Sequence, residues 1–246
     1  MIRTAILTLL LALPGCLTLP ATQALMVRWS SPRLTLTMVG ATWDHLRETG
    51  ELVLPDARYR PIEALGAQVP RAAVSSEDGL FWVHRGFDLA GICAALEHNQ
   101  KGGSVRGGST ISQQVARNVF LAQNRSWVRK GLEAYYTVWL ELMVPKERIL
   151  ELYLNVAETG PQTFGFEAGA QRWYRKEAAR LTRDEAARLV SLLPNPSERS
   201  PHGKTATKKA HWIAANLAPM PGDRGLDQVR ERYASRPWWP PCGDGK

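Results

Sequence analysis

Cysteine is scarce in this sequence, and the cysteines present are not arranged to bind metal. Three of the 246 residues are cysteine, and they lie far apart at positions 16, 93 and 242. This spacing excludes the usual zinc motifs and does not indicate a disulfide framework. We expect Cys93 to pack in the interior, with a Cys93–Cys242 bridge as the alternative.

The sequence also lacks the motifs of common hydrolases and the patterns of a β protein. No segment has the spacing of a Ser-His-Asp hydrolase motif or of a zinc protease. No run of alternating strands and no internal repeat occurs. Helical signals dominate instead, so we predict a mainly α fold.

Acidic residues are missing from one long internal stretch. Residues 98–132 contain no Asp or Glu but six cations, namely Lys101, Arg106, Arg117, Arg125, Arg129 and Lys130. A solvated helical face usually mixes both signs, so we interpret this stretch as an anion-binding groove. A basic outer surface facing anionic lipid is the alternative. The net charge of +8 agrees with an anionic partner without identifying it.

The N-terminus carries an apolar segment. Residues 4–27 contain no charged side chain and are long enough to span a bilayer, although Pro14 and Pro20 would kink the helix. We predict that residues 1–27 form a membrane anchor, with a cleaved secretory signal or lipidation at Cys16 as alternatives. All three place the bulk of the chain outside the cytoplasm and disfavour nucleic acid as a partner.

The rest of the chain divides into three parts. We predict a connector with one short helix over 28–55, a compact domain over 56–218 and a Pro/Gly-rich, partly ordered tail over 219–246. Helix-start signals in the domain are the N-cap residues Asp88 and Ser126 and the capping box that opens at Thr182.

Two consecutive predicted helices carry polar side chains at helical spacing. In the first, Ser109, Gln113 and Arg117 form one row, Thr110, Gln114 and Asn118 the next, and Ile111, Val115 and Val119 an apolar row. Such a polar face suits sugars and phosphates, although glutamines also occur on ordinary surfaces. In the second, Arg125, Arg129 and Glu133 share a face, and we expect Val128, Leu132, Tyr135, Trp139 and Leu142 to face the core. A simple Arg129–Glu133 helix pair is the alternative for the charged face.

The segment SSEDGLFWVHRGFD contains two adjacent carboxylates, Glu77 and Asp78. Their mutual repulsion in a partly desolvated site favours a group that accepts a proton near neutral pH. Asp78 could equally be a cap whose oxygens accept from backbone amides. For His84 and Asp88, four residues apart, we expect a fixed hydrogen bond, with metal ligation or catalysis as the alternative.

Four motifs in order resemble those of the biosynthetic peptidoglycan glycosyltransferases, specifically the monofunctional, membrane-anchored enzymes that polymerise lipid II. They are EDGLFWVHRGFD, GGSTISQQVARN, RKGLE and KERILELYLN. The segment GAQRWYRKEAARLTRDEAARLVSLLPNP is similar to the one that follows them in this family. The resemblance covers about residues 56–218.

The resemblance implies a lysozyme-like, mainly helical fold with a small, partly hydrophobic jaw close to the membrane. Glu77 would be the general base that removes the proton from the 4-hydroxyl group of the acceptor sugar. Glu133 would assist at the pyrophosphate, through a divalent cation (Mg²⁺ or Mn²⁺) or by orienting its basic neighbours. No other cofactor is implied. We expect Glu77 to share one cavity with the cationic groups of the two helices downstream.

Donor sugar and phosphates would be held by Ser109, Gln113, Arg117, Asn118, Arg125, Arg129 and Lys130. Asp78, Phe81, His84, Thr110 and Gln114 complete the candidate substrate-binding residues. Arg117 stands where the family mostly has lysine. A phosphate contact there would therefore be a bidentate one from the guanidinium group instead of a contact with a single ammonium group.

The same resemblance implies the partners and the location. The partners would be lipid II, the growing lipid-linked glycan, the membrane and the proteins of cell-wall synthesis or division. The protein would cross the bacterial inner membrane once, with its catalytic domain on the periplasmic side. Two rival functions stay open, namely a lysozyme-like or lytic transglycosylase that cleaves peptidoglycan, and a non-enzymatic, membrane-tethered module that binds anions.

Overall fold

A computed structural model describes residues 19–100, 107–123, 126–193 and 195–234. Residues 19–29 are helical. The helices that follow are α1 (Leu36–Thr49), α2 (Gln68–Glu77), α3 (Leu89–Gln100), α4 (Ile111–Phe120), α5 (Trp127–Met143), α6 (Lys146–Val156), α7 (Phe166–Tyr174), α8 (Arg183–Val190), α9 (Lys204–Ala215) and α10 (Arg224–Ala234). Short 3-10 helices cover Ile62–Leu65 and Ala178–Arg180.

Three short strands form one small sheet beside the helices. They are β1 (Asp56–Ala57), β2 (Glu158–Gly160) and β3 (Thr163–Phe164), in the order β1-β3-β2. β1 pairs with β3 in parallel, and β2 pairs with β3 antiparallel. The prediction of a mainly α fold is confirmed.

Helix α4 lies at the centre of the domain. It packs against α1, α5 and α6, while α2 packs against α8 and α9 packs against α2 and α8. The predicted apolar row of Ile111, Val115 and Val119 is buried in the core, as the helical period requires. This packing brings the end of α2 against the start of α4.

The predicted helix-start signals are all present. Ser126 accepts a hydrogen bond from the Arg129 amide at 3.1 Å, and Asp88 accepts one from the Gly91 amide at 2.9 Å. Thr182 forms a capping box with Glu185. These caps satisfy amides that the first helical turn leaves without partners, which is why local sequence alone predicted them.

The predicted core face of α5 is wrong in part. Val128, Leu132 and Leu142 are exposed, whereas the buried residues of α5 are Glu133, Tyr136, Thr137 and Leu140. Apolar residues lie on both sides of this helix, so periodicity did not show which side turns inward. The buried side carries Glu133, whose charge is compensated by two neighbouring cations.

The segments outside the predicted domain are more structured than expected. Residues 28–55 contain the 14-residue helix α1, and α10 lies within the predicted tail. Ala24 and Val27 of the first helical segment are buried in the core, where Arg148 donates to the Val27 carbonyl oxygen at 2.9 Å. Among the residues that the structure describes, no helix is both long and apolar enough to cross a membrane. Residues 1–18 of the predicted anchor lie outside them.

Cys93 does more than pack. It lies on α3 and is disulfide-bonded, so the expectation that it only fills space is wrong. The two other cysteines of the chain lie outside the described residues.

Candidate active site

Glu77 ends α2 with its carboxylate held by three side chains. Ser76 Oγ donates to Oε1 at 2.8 Å, and Lys209 Nζ of α9 lies 3.3 Å from the same oxygen. Gln114 Nε2 of α4 donates to Oε2 at 3.4 Å. The Glu77 side chain is 14% exposed. It is therefore fixed in place but still reachable from solvent.

Asp78 has a different environment from its neighbour. Its Oδ2 accepts from the Ile111 amide at 2.9 Å, in the first turn of α4, and both oxygens lie within 2.9 Å of His84 Nε2. The Gly86 amide donates to His84 Nδ1 at 3.0 Å, so Nε2 carries the ring N–H and donates a hydrogen bond to Asp78. Asp78 is thus a buried cap. The expected His84–Asp88 bond is wrong, because Asp88 caps α3 instead.

A cavity of about 300 Å³ opens beside Glu77. Its walls come from the end of α2, from α3, from α9 and from the loop before α4, with Glu77, Ser109 and Trp212 among the lining residues. The walls carry both polar and small apolar groups. The base candidate therefore faces a space that can hold part of a ligand.

A chain of polar contacts leads from this cavity to Glu133. Lys130 Nζ donates to Ser109 Oγ at 3.3 Å and also pairs with Glu133 Oε1. Arg129 Nη1 donates to Glu133 Oε2 at 3.2 Å. Glu133 is only 1% exposed, and a charge so deeply buried needs such partners. The carboxylate orients two cations instead of facing solvent.

Arg117 lines a second, larger cavity of about 630 Å³. This cavity lies between α1, α4, α6 and the β2–β3 hairpin, and Gln114 also lines it. Glu77 and Arg117 therefore do not share one cavity, contrary to our expectation. Gln114 joins the two cavities, because it lines the larger one and donates to Glu77.

Several predicted substrate-binding residues have structural partners. Phe81 is fully buried and His84 nearly so. Thr110 and Gln113 form the capping box of α4, and the Thr110 hydroxyl also donates to the Gly86 carbonyl oxygen at 2.6 Å. Asn118 is buried and accepts from Gln123 at 3.4 Å. Of these residues, Thr110 still lines the smaller cavity and Asn118 the larger one. The other described candidates in the two helices are Ser109, Gln114, Arg117, Arg129 and Lys130. Arg125 lies outside the described residues.

The donor set does not fit a divalent cation. Both Glu133 oxygens are already paired with cations, which repel a metal ion. No group of three His, Cys, Asp or Glu side chains that could bind one occurs within the described ranges.

Lys209 is a site residue that the sequence did not reveal. It follows Glu77 by 132 positions and belongs to α9. Its segment carries no motif, and its neighbour Lys208 has the same charge. Only the packing of α9 against α2 places Lys209 beside the carboxylate.

Comparison with known proteins identifies the family. The family model described as "Transglycosylase" matches residues 48–218. The chain belongs to the transglycosylase family. Every described site residue named above lies within the matched range.

Relatives of this transglycosylase cover most of its length. A "biosynthetic peptidoglycan transglycosylase" of Stutzerimonas stutzeri is 40% identical over 243 residues, which cover 98% of this chain and 99% of the relative. Proteins with the same name are 46% identical over 203 residues in Xanthomonas oryzae pv. oryzae and 42% identical over 222 residues in Ectopseudomonas mendocina. The match to the Xanthomonas protein covers 81% of this chain and 82% of the relative. The match to the Ectopseudomonas protein covers 89% of this chain and 90% of the relative.

Proposed function

We propose that this transglycosylase is a peptidoglycan glycosyltransferase that polymerises lipid II into glycan strands. One observation carries the proposal. Glu77 is a fixed, partly exposed carboxylate that accepts a hydrogen bond from Gln114, which lines the larger cavity together with Arg117. Ser109 lines the smaller cavity beside Glu77 and is bonded to Lys130, which pairs with Glu133. A base with cationic groups on two sides suits a transfer that expels an anionic leaving group. The names of the relatives agree with this activity.

In the proposed reaction Glu77 acts as general base. It takes the proton of the acceptor sugar's 4-hydroxyl group while that oxygen attacks C1 of the lipid-linked donor. The new bond joins O4 to C1. The bond between C1 and the pyrophosphate oxygen breaks on the opposite face of the sugar, which inverts the anomeric centre. Undecaprenyl pyrophosphate departs with the bonding electrons.

The cations stabilise the charge on the leaving group. Lys130 is partly exposed, and Arg129 keeps its Nε without a protein partner in the described chain. Arg117 lines the other cavity. Glu133 holds Arg129 and Lys130 in place before substrate binds, so little reorganisation is needed during the reaction.

A peptidoglycan-cleaving enzyme is less consistent with this site. Such an enzyme needs a carboxylic acid that protonates the glycosidic oxygen. Glu77 instead accepts hydrogen bonds from Ser76, Gln114 and Lys209, so its oxygens are arranged as acceptors. The clustered cations would also have no role in cleaving a neutral glycan.

The location of the reaction is part of the proposal. Helix α5 carries five exposed apolar side chains, which we call the α5 apolar surface. They are Trp127, Val128, Leu132, Val138 and Leu142. Contiguous exposed apolar residues near basic groups suit a membrane surface. We propose that the domain works at the periplasmic face of the bacterial inner membrane, where a lipid-linked substrate is accessible.

The test is lipid II polymerisation by the purified protein in detergent. Wild type should produce long glycan strands, and Glu77→Gln should lower the rate by at least about 100-fold, because the amide cannot accept the proton. The matched control is Glu63→Gln, which changes an exposed carboxylate outside both cavities and should leave the rate unchanged. A fully active Glu77→Gln variant would refute the assignment of the base. Release of muropeptides from intact sacculi by wild type would favour the lytic alternative.

A further inference from the structure

The larger cavity is locally reversed in sign relative to the molecule as a whole. Four carboxylate side chains line it, and Arg117 is the one Lys or Arg side chain among its described lining residues. The four are Asp44, Glu48, Glu158 and Glu198. The whole chain has a net charge of +8. A cavity with this surplus of negative charge attracts a cationic ligand group.

The four carboxylates have no cationic partner within the described residues. Glu158 Oε1 accepts from Ser197 Oγ at 3.0 Å, and Glu198 Oε2 accepts from Asn195 Nδ2 at 2.6 Å, and both of these donors are neutral. Burial raises the pKa of Glu158, and the hydrogen bond from Ser197 opposes this effect only in part. A cationic ligand group would supply the compensating charge that the chain itself does not.

Helix α1 places two of the carboxylates beside a buried acceptor. Ala41, Asp44 and Glu48 line the cavity at spacings of three and four residues, which puts them on one face of the helix. Gln162 Nε2 donates to the Ala41 carbonyl oxygen at 2.8 Å. Gln162 Oε1 is then left buried and without a partner in the described chain. The cavity therefore presents carboxylate and amide oxygens, all of them acceptors, along this helix.

Tyr153 is a second group at this cavity with a buried, unpaired polar atom. It lies on α6, lines the cavity and is 1% exposed, and its hydroxyl has no partner among the described residues. Burial raises its pKa well above the ordinary value, the negative charge of Glu77 acts in the same direction, and Arg117 opposes it. The phenol therefore keeps its proton. Buried polar groups are almost always paired, so two exceptions at one cavity indicate a ligand.

We propose that this cavity of about 630 Å³ receives the peptide part of the lipid-linked substrate and binds the side-chain ammonium group of a diamino acid in that peptide. An ammonium group has three N–H donors and no acceptor, which matches the carboxylates and Gln162 Oε1. The Tyr153 hydroxyl donates to a peptide carbonyl oxygen. A metal ion matches less well, because no group of three side chains that could bind one occurs within the described ranges. The inference rests on the proposed function and adds recognition of the peptide to it.

The first test compares two forms of lipid II in the polymerisation assay. One has lysine as the third residue of its peptide, and the other has the same lysine acetylated at Nζ, which removes only its charge. For wild type at low salt, the acetylated form should have a KM about 5-fold to 10-fold higher, with kcat nearly unchanged. The difference should shrink as the salt concentration rises, because ions screen the attraction.

The double variant Asp44→Asn/Glu48→Gln tests the carboxylates themselves. Both positions are exposed on α1, so the melting temperature should not change, but most of the preference for the free amine should be lost. The matched control is Glu63→Gln/Glu147→Gln, which removes the same charge from exposed positions that line neither cavity and should keep the preference. Equal KM values for the two substrates in wild type, or equal loss of the preference in both double variants, would overturn the inference.

A binding measurement separates this inference from the proposed function. The free pentapeptide of lipid II in its lysine form should shift the amide resonances of α1 in an NMR titration, and its acetylated form should bind about 5-fold more weakly. If wild type polymerises both forms of lipid II equally well and binds both peptides equally, the inference fails and the proposed function stands. If the peptide with the free amine binds more tightly but wild type makes no glycan, the proposed function fails and the peptide site stands.

Discussion

Glu77 and Asp78 are adjacent in sequence but have opposite surroundings. Asp78 is buried and paired with His84 and with a backbone amide of α4. Glu77 keeps an opening to a cavity and contacts only side chains. Both residues line the smaller cavity, but their hydrogen-bond partners differ. One carboxylate therefore anchors the fold while the other is available for proton transfer.

At this scale we predict that Lys209 positions the base. Lys209→Met removes the ammonium group 3.3 Å from Glu77 Oε1, so the carboxylate should lose its fixed orientation. We expect kcat to fall by about 10-fold to 100-fold, with little change in KM, because misplacement of a catalytic group mainly slows the chemical step. Steady-state kinetics of lipid II polymerisation measures both constants.

Lys208→Met is the control for Lys209. Lys208 is the adjacent lysine on α9, is exposed and carries the same charge, so its removal should leave kcat unchanged. Lys209→Arg should restore part of the activity, since a guanidinium group can also reach the carboxylate. Equal activity of the Lys208 and Lys209 variants would show that the contact has no positioning role.

Among the secondary-structure elements, the helix that carries the base is bonded to the residue just before α10. Arg71 of α2 makes two hydrogen bonds to Asp223, immediately before α10, one of them at 3.1 Å. Asp223 Oδ2 also accepts from the Met220 amide at 3.0 Å. The predicted tail thus begins with an ordered segment attached to α2. Composition alone suggested a loose tail because Pro and Gly are frequent there.

The Arg71–Asp223 contact should make stability depend on pH. The bond from Arg71 holds the pKa of Asp223 at about 2, below its ordinary value of 3.8. Because the folded-state pKa is lower, the contribution is present above pH 3.8 and is lost as pH falls towards about 2. The difference in unfolding midpoint between wild type and Asp223→Asn should shrink over this interval. Urea unfolding at a series of pH values measures it.

Asp227→Asn is the comparison for Asp223. Asp227 lies on α10 and makes an exposed pair with Arg230 at 3.5 Å, and such pairs contribute little. The urea unfolding midpoint of the Asp227→Asn variant should equal that of wild type at every pH. A constant difference between wild type and Asp223→Asn down to the lowest pH would contradict the ionic origin of the effect.

The molecule as a whole combines a positive net charge with an exposed apolar face. The chain carries +8, and the α5 apolar surface includes Trp127, which is 91% exposed. Exposed tryptophan beside basic residues suits the boundary between lipid head groups and acyl chains. Such a surface would bring the adjacent active site close to a lipid-linked substrate.

We predict that Trp127 enters the bilayer when the protein binds vesicles of anionic phospholipid. Its fluorescence, obtained as the difference between wild type and Trp127→Phe, should be strongly quenched by lipids with brominated acyl chains. Trp173 serves as the reference, because it packs against the core and donates to the Thr159 carbonyl oxygen at 2.8 Å. Its component, obtained in the same way from Trp173→Phe, should not be quenched. Equal quenching of the two components, or none of Trp127, would contradict the proposed orientation.

Local patterns were sufficient for the helix starts and for the choice of candidate reactive groups. Local sequence predicts the caps at Ser126 and Thr182 and the apolar row of α4, because each depends on residues within one or two turns. The carboxylates and cations could be selected for the same reason, since they form unusual charge patterns over short distances. The motif resemblance then supplied the expected roles.

Tertiary packing decided which of those groups meet. Lys209 approaches Glu77 from a helix far away in the chain, and no local pattern marks such a contact. The inward face of α5 was also undecided, because apolar residues lie on both of its sides and a buried Glu133 is tolerated only where two cations compensate it. Long-range contacts depend on how whole helices pack, and that information is spread over the entire chain.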